Sequence, residues 1–228
     1  MAEQTRRNAS EHTFATWDGV ELFYRAWIPD RPFSRAMVLF HRGHEHSGRW
    51  QETVDLLALD DFAIFAWDAR GHGRSPGERG YAPGFECLVR DADAFVRHIA
   101  GEYSVPMESI AIVAHSVGAV IASTWVHDYA PPIRALVLAS PAMRVKLYIP
   151  FALFFLRLQL MVQGKAFVKS YVKPGMLTHD PAECESYARD PLIARSIAVN
   201  ILIEMHDTAT RILADASAIR VPTLVLVS

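Results

Sequence analysis

A serine at position 116 stands between a short apolar segment and a segment with helical character. Ala114 lies two positions before this serine and Gly118 two positions after it, in the sequence AHSVGA. Small residues at these two positions are typical of a nucleophile elbow, a sharp strand-to-helix turn where bulky side chains would collide with backbone. The turn projects the hydroxyl above the sheet, and the start of the helix points amide dipoles at the same space. The pattern predicts a catalytic nucleophile at Ser116; the alternative is a serine that only caps its helix.

An acyl-transfer nucleophile also requires amide donors at the position where the tetrahedral oxyanion forms. In an elbow of this kind one amide comes from the residue after the nucleophile, here Val117, and the other from a loop that follows a neighbouring strand. Residues 41–50, HRGHEHSGRW, leave an apolar run and contain Gly43 in a suitable place. We therefore predict an oxyanion hole made by the backbone N–H groups of Gly43 and Val117. The alternative for Gly43 is an ordinary glycine turn between a strand and a helix.

The three histidines of the same segment, His41, His44 and His46, raise the alternative of a metal site. Their H-x-x-H-x-H spacing matches no zinc pattern, and no Asp, Glu or Cys partner is evident in the sequence. We therefore predict neither a metal nor another cofactor.

A further glycine-rich segment, DARGHGRS at 68–75, has some likeness to a phosphate-binding loop. It fits neither the P-loop nor the dinucleotide-binding pattern. Gly71 and Gly73 permit tight turns, and Asp68 and Arg70 are expected to hold the loop through charge-assisted hydrogen bonds. The segment is therefore predicted to be structural.

Short apolar runs alternate with segments of helical periodicity along the first 140 residues. Two runs, 12–17 and 21–27, are joined by Asp18-Gly19, which is a strong hairpin signal. The alternation that follows predicts an α/β protein whose mostly parallel sheet is covered by helices on both faces. Buried strands are predicted at 36–41, 62–67, 109–114 and 135–139, and helices at 50–59, 85–100 and 116–129.

From Pro141 to about residue 218 the pattern indicates helices without strands. An insertion of this kind is expected to cover one end of the sheet as a lid. Its most apolar stretch, 147–162, is shorter than the roughly 20 apolar residues that cross a bilayer. We predict that three aromatic side chains of this stretch line an acyl-chain pocket or dip into a membrane surface, the alternative being ordinary packing of the lid. They are Phe151, Phe154 and Phe155.

Residues 221–228, VPTLVLVS, have the apolar character of a buried strand, and the sequence given stops there. The free edge and the faces of this strand are expected to leave apolar surface unburied. The predicted organisation is a core at 1–140, a helical lid at 141–218, and a core strand that resumes at 219–228.

The composition narrows the class of protein. The chain has 228 residues, of which 51% are hydrophobic, so it can bury a sizeable core. A formal net charge of -2 and the lack of a Lys/Arg-rich run argue against a nucleic-acid partner. The two cysteines lie far apart and the first ten residues are polar, which predicts no secretory signal and a cytoplasmic location.

The three glycine- and histidine-containing segments together resemble the α/β-hydrolase superfamily, in its monoacylglycerol lipase/lysophospholipase-like branch. That branch carries H-G-x-G-E-H-S-G-R-Y, D-x-R-G-H-G-x-S and G-H-S-x-G, which stand here as HRGHEHSGRW, DARGHGRS and AHSVGA. The resemblance implies Ser116 as nucleophile, Gly43 and Val117 as oxyanion donors, and a lid after Pro141 that shapes an acyl pocket. It also implies hydrolysis of carboxylic esters of acyl lipids, of the monoacylglycerol or lysophospholipid type, through an acyl-enzyme.

Residues that depart from the pattern of this branch include Arg42 and His44, which replace two glycines, and Ala114, which replaces the first elbow glycine. The sequence HRGHEHSGRW also resembles the hydrolase half of bacterial proteins in which this domain is fused to an S-adenosylmethionine-dependent methyltransferase. The resemblance thus implies a C-terminal methyltransferase domain in the full-length protein.

In this family the catalytic acid follows the strand that 223–227 resembles, and the catalytic histidine comes later still. We therefore expect the sequence given to be the N-terminal part of a serine hydrolase, without the last strand and helices and weakly active or inactive by itself. The alternative is a non-catalytic lipid-binding or regulatory module with a hydrolase fold.

Overall fold

The structure, a computed structural model, describes residues 6–144, 151–170 and 172–227. Its helices are α1 (Gln51–Leu57), α2 (Phe85–Glu102), α3 (Val117–Tyr129), α4 (Ala152–Gln163), α5 (Pro181–Arg189) and α6 (Val199–Ala214). Its strands are β1 (Ser10–Ala15), β2 (Glu21–Trp27), β3 (Arg35–Phe40), β4 (Phe62–Trp67), β5 (Ile110–His115), β6 (Ala135–Ala139), β7 (Phe167–Lys169), β8 (Ser196–Ala198) and β9 (Thr223–Leu226).

Seven strands form one sheet in the order β1-β2-β4-β3-β5-β6-β9. The pairs β1–β2 and β2–β4 are antiparallel, and all the others are parallel. The predicted hairpin and the predicted mostly parallel sheet are therefore confirmed, with strand ends that differ by one or two residues. The central parallel strands β3, β4 and β5 are nearly continuous apolar runs because helices cover both faces of the sheet there.

The two faces of β3 show how the helices bury the sheet. Val38 and Phe40 belong to the large apolar core that also contains side chains of α2 and α3. Leu39 points to the other face and belongs to a smaller core with Val54 of α1. Helices thus lie on both faces, as the alternation of side chains along a strand requires.

The segment after Pro141 contains strands as well as helices, so the prediction of helices alone was wrong. β7 and β8 pair antiparallel, with Phe167 opposite Ala198 and Lys169 opposite Ser196. Strands of three residues are too short to give a readable period of two, which is why the sequence did not show them.

The apolar stretch predicted as a helix at 147–162 corresponds to α4, and residues 147–150 lie outside the described residues. Among the helices that are described, none is both long and apolar enough to cross a bilayer. The last helix of the same region, α6, packs on the main core through Ile201, Leu202 and Met205.

β9 pairs in parallel with β6 but is not buried. Leu224, Val225 and Leu226 are 54%, 51% and 49% exposed, so the burial expected from their apolar character was wrong. The expected unburied apolar surface at this end of the sheet is confirmed.

Candidate active site

The turn between β5 and α3 consists of a single residue, Ser116, with φ 54° and ψ -113°. A residue other than glycine rarely adopts this backbone conformation. It costs about 1–3 kcal/mol and persists only where the surrounding structure enforces it. The Ser116 N–H donates to Ala139 O at 2.9 Å, and the Ser116 carbonyl accepts from Ala142 N–H at 3.2 Å. The end of β6 and the chain just after it therefore hold the turn through one bond each.

Backbone crowding explains the small residues around this serine. A Cβ atom on Gly118 would lie 2.5 Å from His41 O and 2.7 Å from Phe40 O. Ala114, on the other side of the turn, is fully buried. The elbow thus needs glycine after the serine and accepts a methyl group before it.

The loop after β3 approaches the first turn of α3. Arg42 O accepts from Glu45 N–H at 3.2 Å, closing a four-residue turn whose third residue, His44, has φ 74°. This left-handed position favours glycine, although histidine is one of the residues found there. A Cβ atom on Gly43 would lie 2.8 Å from Val117 Cγ2, so a larger residue here would require the Val117 side chain to shift. In the part of the chain that the structure describes, neither the Gly43 nor the Val117 amide donates to a protein acceptor.

Ser116, Gly43 and Val117 all line one cavity of about 530 Å³. Its walls are mainly apolar and come from both the sheet core and the region after Pro141. They include Trp67, Leu88, Ile121, Leu156, Ile201 and Met205. The volume lies within the range of small-molecule sites, about 300–1,000 Å³.

Only one of the three phenylalanines singled out from the sequence, Phe155, lines this cavity. Phe151 and Phe154 do not line it and are 79% and 64% exposed. The cavity-facing residues of α4 recur at helical spacing from Ala152 to Gln159, and Phe154 lies on a different side of the helix.

His41 joins the loops that follow β3 and β4. Its Nδ1–H donates to Arg42 O at 2.7 Å, and its Nε2 accepts from Ala69 N–H at 3.0 Å. Burial lowers the pKa of His41, so the imidazole is neutral and both nitrogens are engaged. In the described ranges, no histidine nitrogen makes a hydrogen bond to Ser116 Oγ.

His46 connects the same loop to the region after Pro141. Its Nδ1 accepts from Gly48 N–H at 3.2 Å, and its Nε2–H donates to Asp190 Oδ2 at 2.8 Å. The His44 carbonyl accepts from Ala194 N–H at 2.9 Å. The turn that carries Gly43 is therefore held from both sides. The nitrogens of His41 and His46, two of the histidines considered for a metal, serve bonds within the protein.

The predicted structural role of 68–75 is confirmed. Asp68 accepts from Ser47 N–H at 2.6 Å and from Arg74 N–H at 2.7 Å, so one carboxylate joins two loops. Arg70 donates to both oxygens of Asp91, at 2.9 and 2.8 Å, and to Asp18 Oδ1 at 3.0 Å.

Sequence reasoning did not single out Glu45 and Tyr187, two polar residues at the cavity. Arg42 and Glu45 form an ion pair at 2.7 Å, and both line the cavity together with Tyr187 and His72. Tyr187 comes from α5, more than 130 residues along the chain, and no local pattern links it to the loop after β3.

Burial depresses the pKa of three histidines near the site. The pKa of His44 falls to about 4, with further contributions from His72 and Arg195, and that of His72 falls to about 4 beside His41. The pKa of His115 also falls to about 4, because of burial and the positive charge of Arg42.

We expect the free energy of unfolding to decrease as the pH is lowered from 6.5 to about 4. In this window the unfolded chain binds protons on these histidines and the folded chain does not, so acid favours unfolding. Thermal denaturation across the window measures the effect, and His72→Gln should make the dependence shallower. A melting temperature that stays constant between these pH values would contradict the expectation.

The sheet order, the elbow and the cavity together define an α/β-hydrolase fold. The chain belongs to the family described as "Serine aminopeptidase, S33" (Hydrolase_4), whose profile matches residues 32–228.

Relatives and solved structures agree with this assignment. The chain is 52% identical over 226 residues to the protein YnbC of Escherichia coli K12, covering 99% of the chain but 39% of YnbC. It is 29% identical to the human monoglyceride lipase over 92% of the chain and 69% of the lipase. A soluble variant of the Saccharomyces cerevisiae monoglyceride lipase, solved with a substrate analogue, superimposes with a TM-score of 0.79 at 16% identity, covering 99% of the chain and 78% of that structure.

Proposed function

We propose that this chain carries the nucleophile and the oxyanion hole of a hydrolase that cleaves carboxylic esters. Ser116 Oγ would attack the ester carbonyl to form an acyl-enzyme, and the Gly43 and Val117 amides would stabilise the oxyanion. One observation carries the proposal: Ser116, in a strained backbone conformation, lies in one cavity with Gly43 and Val117, whose amides have no protein acceptor among the described residues. Strain of this kind is concentrated at functional sites.

We propose acyl lipids of the monoacylglycerol or lysophospholipid type as the substrates. The mainly apolar walls of the cavity, with Phe155 and Leu156 of α4 among them, suit a single acyl chain. The monoglyceride lipases among the relatives support the same class. On this view residues 141–218 act as a lid over the core formed by 1–140 and 219–228.

A serine becomes nucleophilic only beside a base, which in turn needs an orienting group. Among the described residues, no histidine nitrogen bonds Ser116 Oγ, and both nitrogens of His41, which lines the cavity, are engaged elsewhere. We therefore expect the 228 residues alone to be weakly active or inactive, with the base supplied by chain outside them. The methyltransferase domain implied by the motif stays a prediction.

We further propose that the outer face of α4 contacts a lipid surface. Phe154, Leu158 and Met161 of α4 recur at helical spacing and are 64%, 42% and 76% exposed, and Phe151, the residue before the helix, is 79% exposed. Phe155 lies beside them and also lines the cavity, so lipid could pass from this face to Ser116. Exposed apolar side chains of this kind insert at the boundary between head groups and acyl chains.

Labelling with a fluorophosphonate tests the assignment of the nucleophile. We expect the full-length protein to be labelled and Ser116→Ala to abolish both labelling and ester hydrolysis. Ser123→Ala is the matched control, because Ser123 lies on the same helix with its hydroxyl bonded to Ala119 O at 2.7 Å. Labelling that persists in Ser116→Ala would place the nucleophile elsewhere.

A non-catalytic lipid-binding module is the second candidate, favoured by the lack of a described histidine bonded to Ser116. A full-length protein that binds acyl lipids but neither reacts with the fluorophosphonate nor hydrolyses esters would establish this candidate instead.

A further inference from the structure

A second, polar cavity of about 310 Å³ adjoins the main cavity and shares several lining residues with it. Its polar lining residues come from β7, α5 and β8 and the chain beside them. They are Lys169, Ser170, Tyr187, Arg195 and Ser196. Because all of these except Arg195 also line the main cavity, a molecule held at Ser116 could extend into the second one.

The charges around Tyr187 do not balance on this side of the site. Arg42 is paired with Glu45, and Arg49 is paired with Glu183 at 2.8 Å. Across the residues with described positions, Lys169 and Arg195 form no ion pair with a carboxylate. Two cations in one small cavity are therefore left for an anion.

Arg195 is held in place while part of its guanidinium stays available. Its Nη2 donates to Tyr187 O at 3.1 Å and to Ala188 O at 2.9 Å. The guanidinium has five N–H donors in a planar fork, and the fork suits phosphate and carboxylate oxygens. An anchored guanidinium loses less conformational freedom on binding an anion than a mobile one does.

The polar cavity lies close to the oxyanion turn. Ala194, which also lines the polar cavity, donates its N–H to His44 O. The positive charge of Arg195 also contributes, after burial and His72, to the lowered pKa of His44. An anionic group in the polar cavity would therefore sit a short way from an ester bound at Ser116.

We propose that the polar cavity binds the phosphate-bearing, net anionic head group of a single-chain acyl ester. The inference rests on the proposed function: the acyl chain occupies the apolar cavity, the ester lies at Ser116, and the phosphate contacts Lys169 and Arg195. Among acyl lipids, this arrangement favours an anionic lysophospholipid over a neutral monoacylglycerol with the same chain.

Equilibrium binding of lipids to the full-length protein carrying Ser116→Ala tests the head-group site, because this variant does not hydrolyse the bound lipid. The ligands are oleoyl lysophosphatidic acid, oleoyl lysophosphatidylcholine and monooleoylglycerol, each below its aggregation concentration. We expect the net anionic lipid to bind most tightly, with a preference that weakens as salt is added.

Substitutions assign that preference to the two cations. Lys169→Gln or Arg195→Gln alone should weaken binding of the anionic lipid about fivefold. The double variant should weaken it about twentyfold. Binding of monooleoylglycerol should not change with Arg195→Gln, because Arg195 lines the polar cavity and not the main one. Arg189→Gln is the matched control, because Arg189 is an exposed arginine of α5 outside both cavities, and it should have no effect.

Three results would overturn the head-group site: equal affinity for the three lipids, equal losses in the Arg189→Gln control, or glycerol 3-phosphate binding as tightly as the acylated lipid. The last result would identify a site for free phosphate compounds. Hydrolysis of monooleoylglycerol by the full-length protein with Ser116 intact separates the two proposals. Retained hydrolysis without an anionic preference overturns only the head-group site, and an anionic preference without hydrolysis overturns only the proposed function.

Discussion

In the full-length protein, Gly118→Ala is expected to abolish fluorophosphonate labelling and to lower the free energy of unfolding by about 3 kcal/mol. The added Cβ would lie 2.5 Å from His41 O and 2.7 Å from Phe40 O, and both are backbone atoms. They belong to the end of β3 and the residue after it, and β3 is paired on both sides, with β4 and β5. The first turn of α3 must therefore move, and Ser116 moves with it.

The loss of labelling should exceed what the loss of stability explains. A displacement of about 1 Å at reacting atoms costs on the order of a hundredfold in rate. Labelling is measured on the fraction that remains folded, judged by circular dichroism at low temperature.

Gly101→Ala provides the matched control, since Gly101 is also helical and has open space around its Cα. The same chemical change there should stabilise the protein by about 0.5–1 kcal/mol. A Gly118→Ala protein that is as stable and as reactive as the wild type would show that the elbow is not as crowded as described.

The fold could largely be predicted from the sequence because its signals are local. Continuous apolar runs such as 62–67 and 135–139 give the buried parallel strands, and Asp18-Gly19 gives the hairpin. The sequence signal of the elbow is also local, because the positions that must be small, Ala114 and Gly118, lie two residues before and two residues after Ser116. The spacing therefore predicted the geometry of the turn as well as its place in the chain.

The outward face of α4 could not be predicted in the same way. Apolar side chains surround this helix, so its periodicity does not show which of them meet the cavity. Phe154 and Phe155 are neighbours in sequence and are equivalent to any local rule. Only the position of the helix over the sheet separates the residue that lines the cavity from the residue that faces outward.

The roles of the histidines also required the tertiary structure. The spacing of His41, His44 and His46 raised the alternative of a metal site, which the sequence argued against, but it could not show what these side chains do instead. His46 meets Asp190 across 144 positions of sequence, and Ala69 N–H reaches His41 from the loop after another strand. Contacts across such separations leave no pattern in a single sequence.

Asp91→Ala is expected to destabilise the protein by about 3–5 kcal/mol, the usual effect of removing one partner from a buried ion pair. Asp91 is fully buried on α2, and its two oxygens accept from Arg70 at 2.8 and 2.9 Å. Without the carboxylate, the Arg70 guanidinium would remain buried with only the partly exposed Asp18 as its ionic partner. The loop at 68–75 would lose its attachment to α2.

Urea unfolding measures this effect, and two further variants identify its cause. Arg97→Ala removes the exposed pair between Arg97 and Asp93 on the same helix and should cost no more than about 0.5 kcal/mol. The double variant Arg70→Met/Asp91→Leu removes both buried charges and should recover most of the stability, because an apolar pair of similar volume often replaces a buried ion pair without loss. If Asp91→Ala proved no more harmful than Arg97→Ala, the attachment of the 68–75 loop would have to lie elsewhere. If the double variant were as unstable as Asp91→Ala, the cause would be lost packing rather than an unpaired charge.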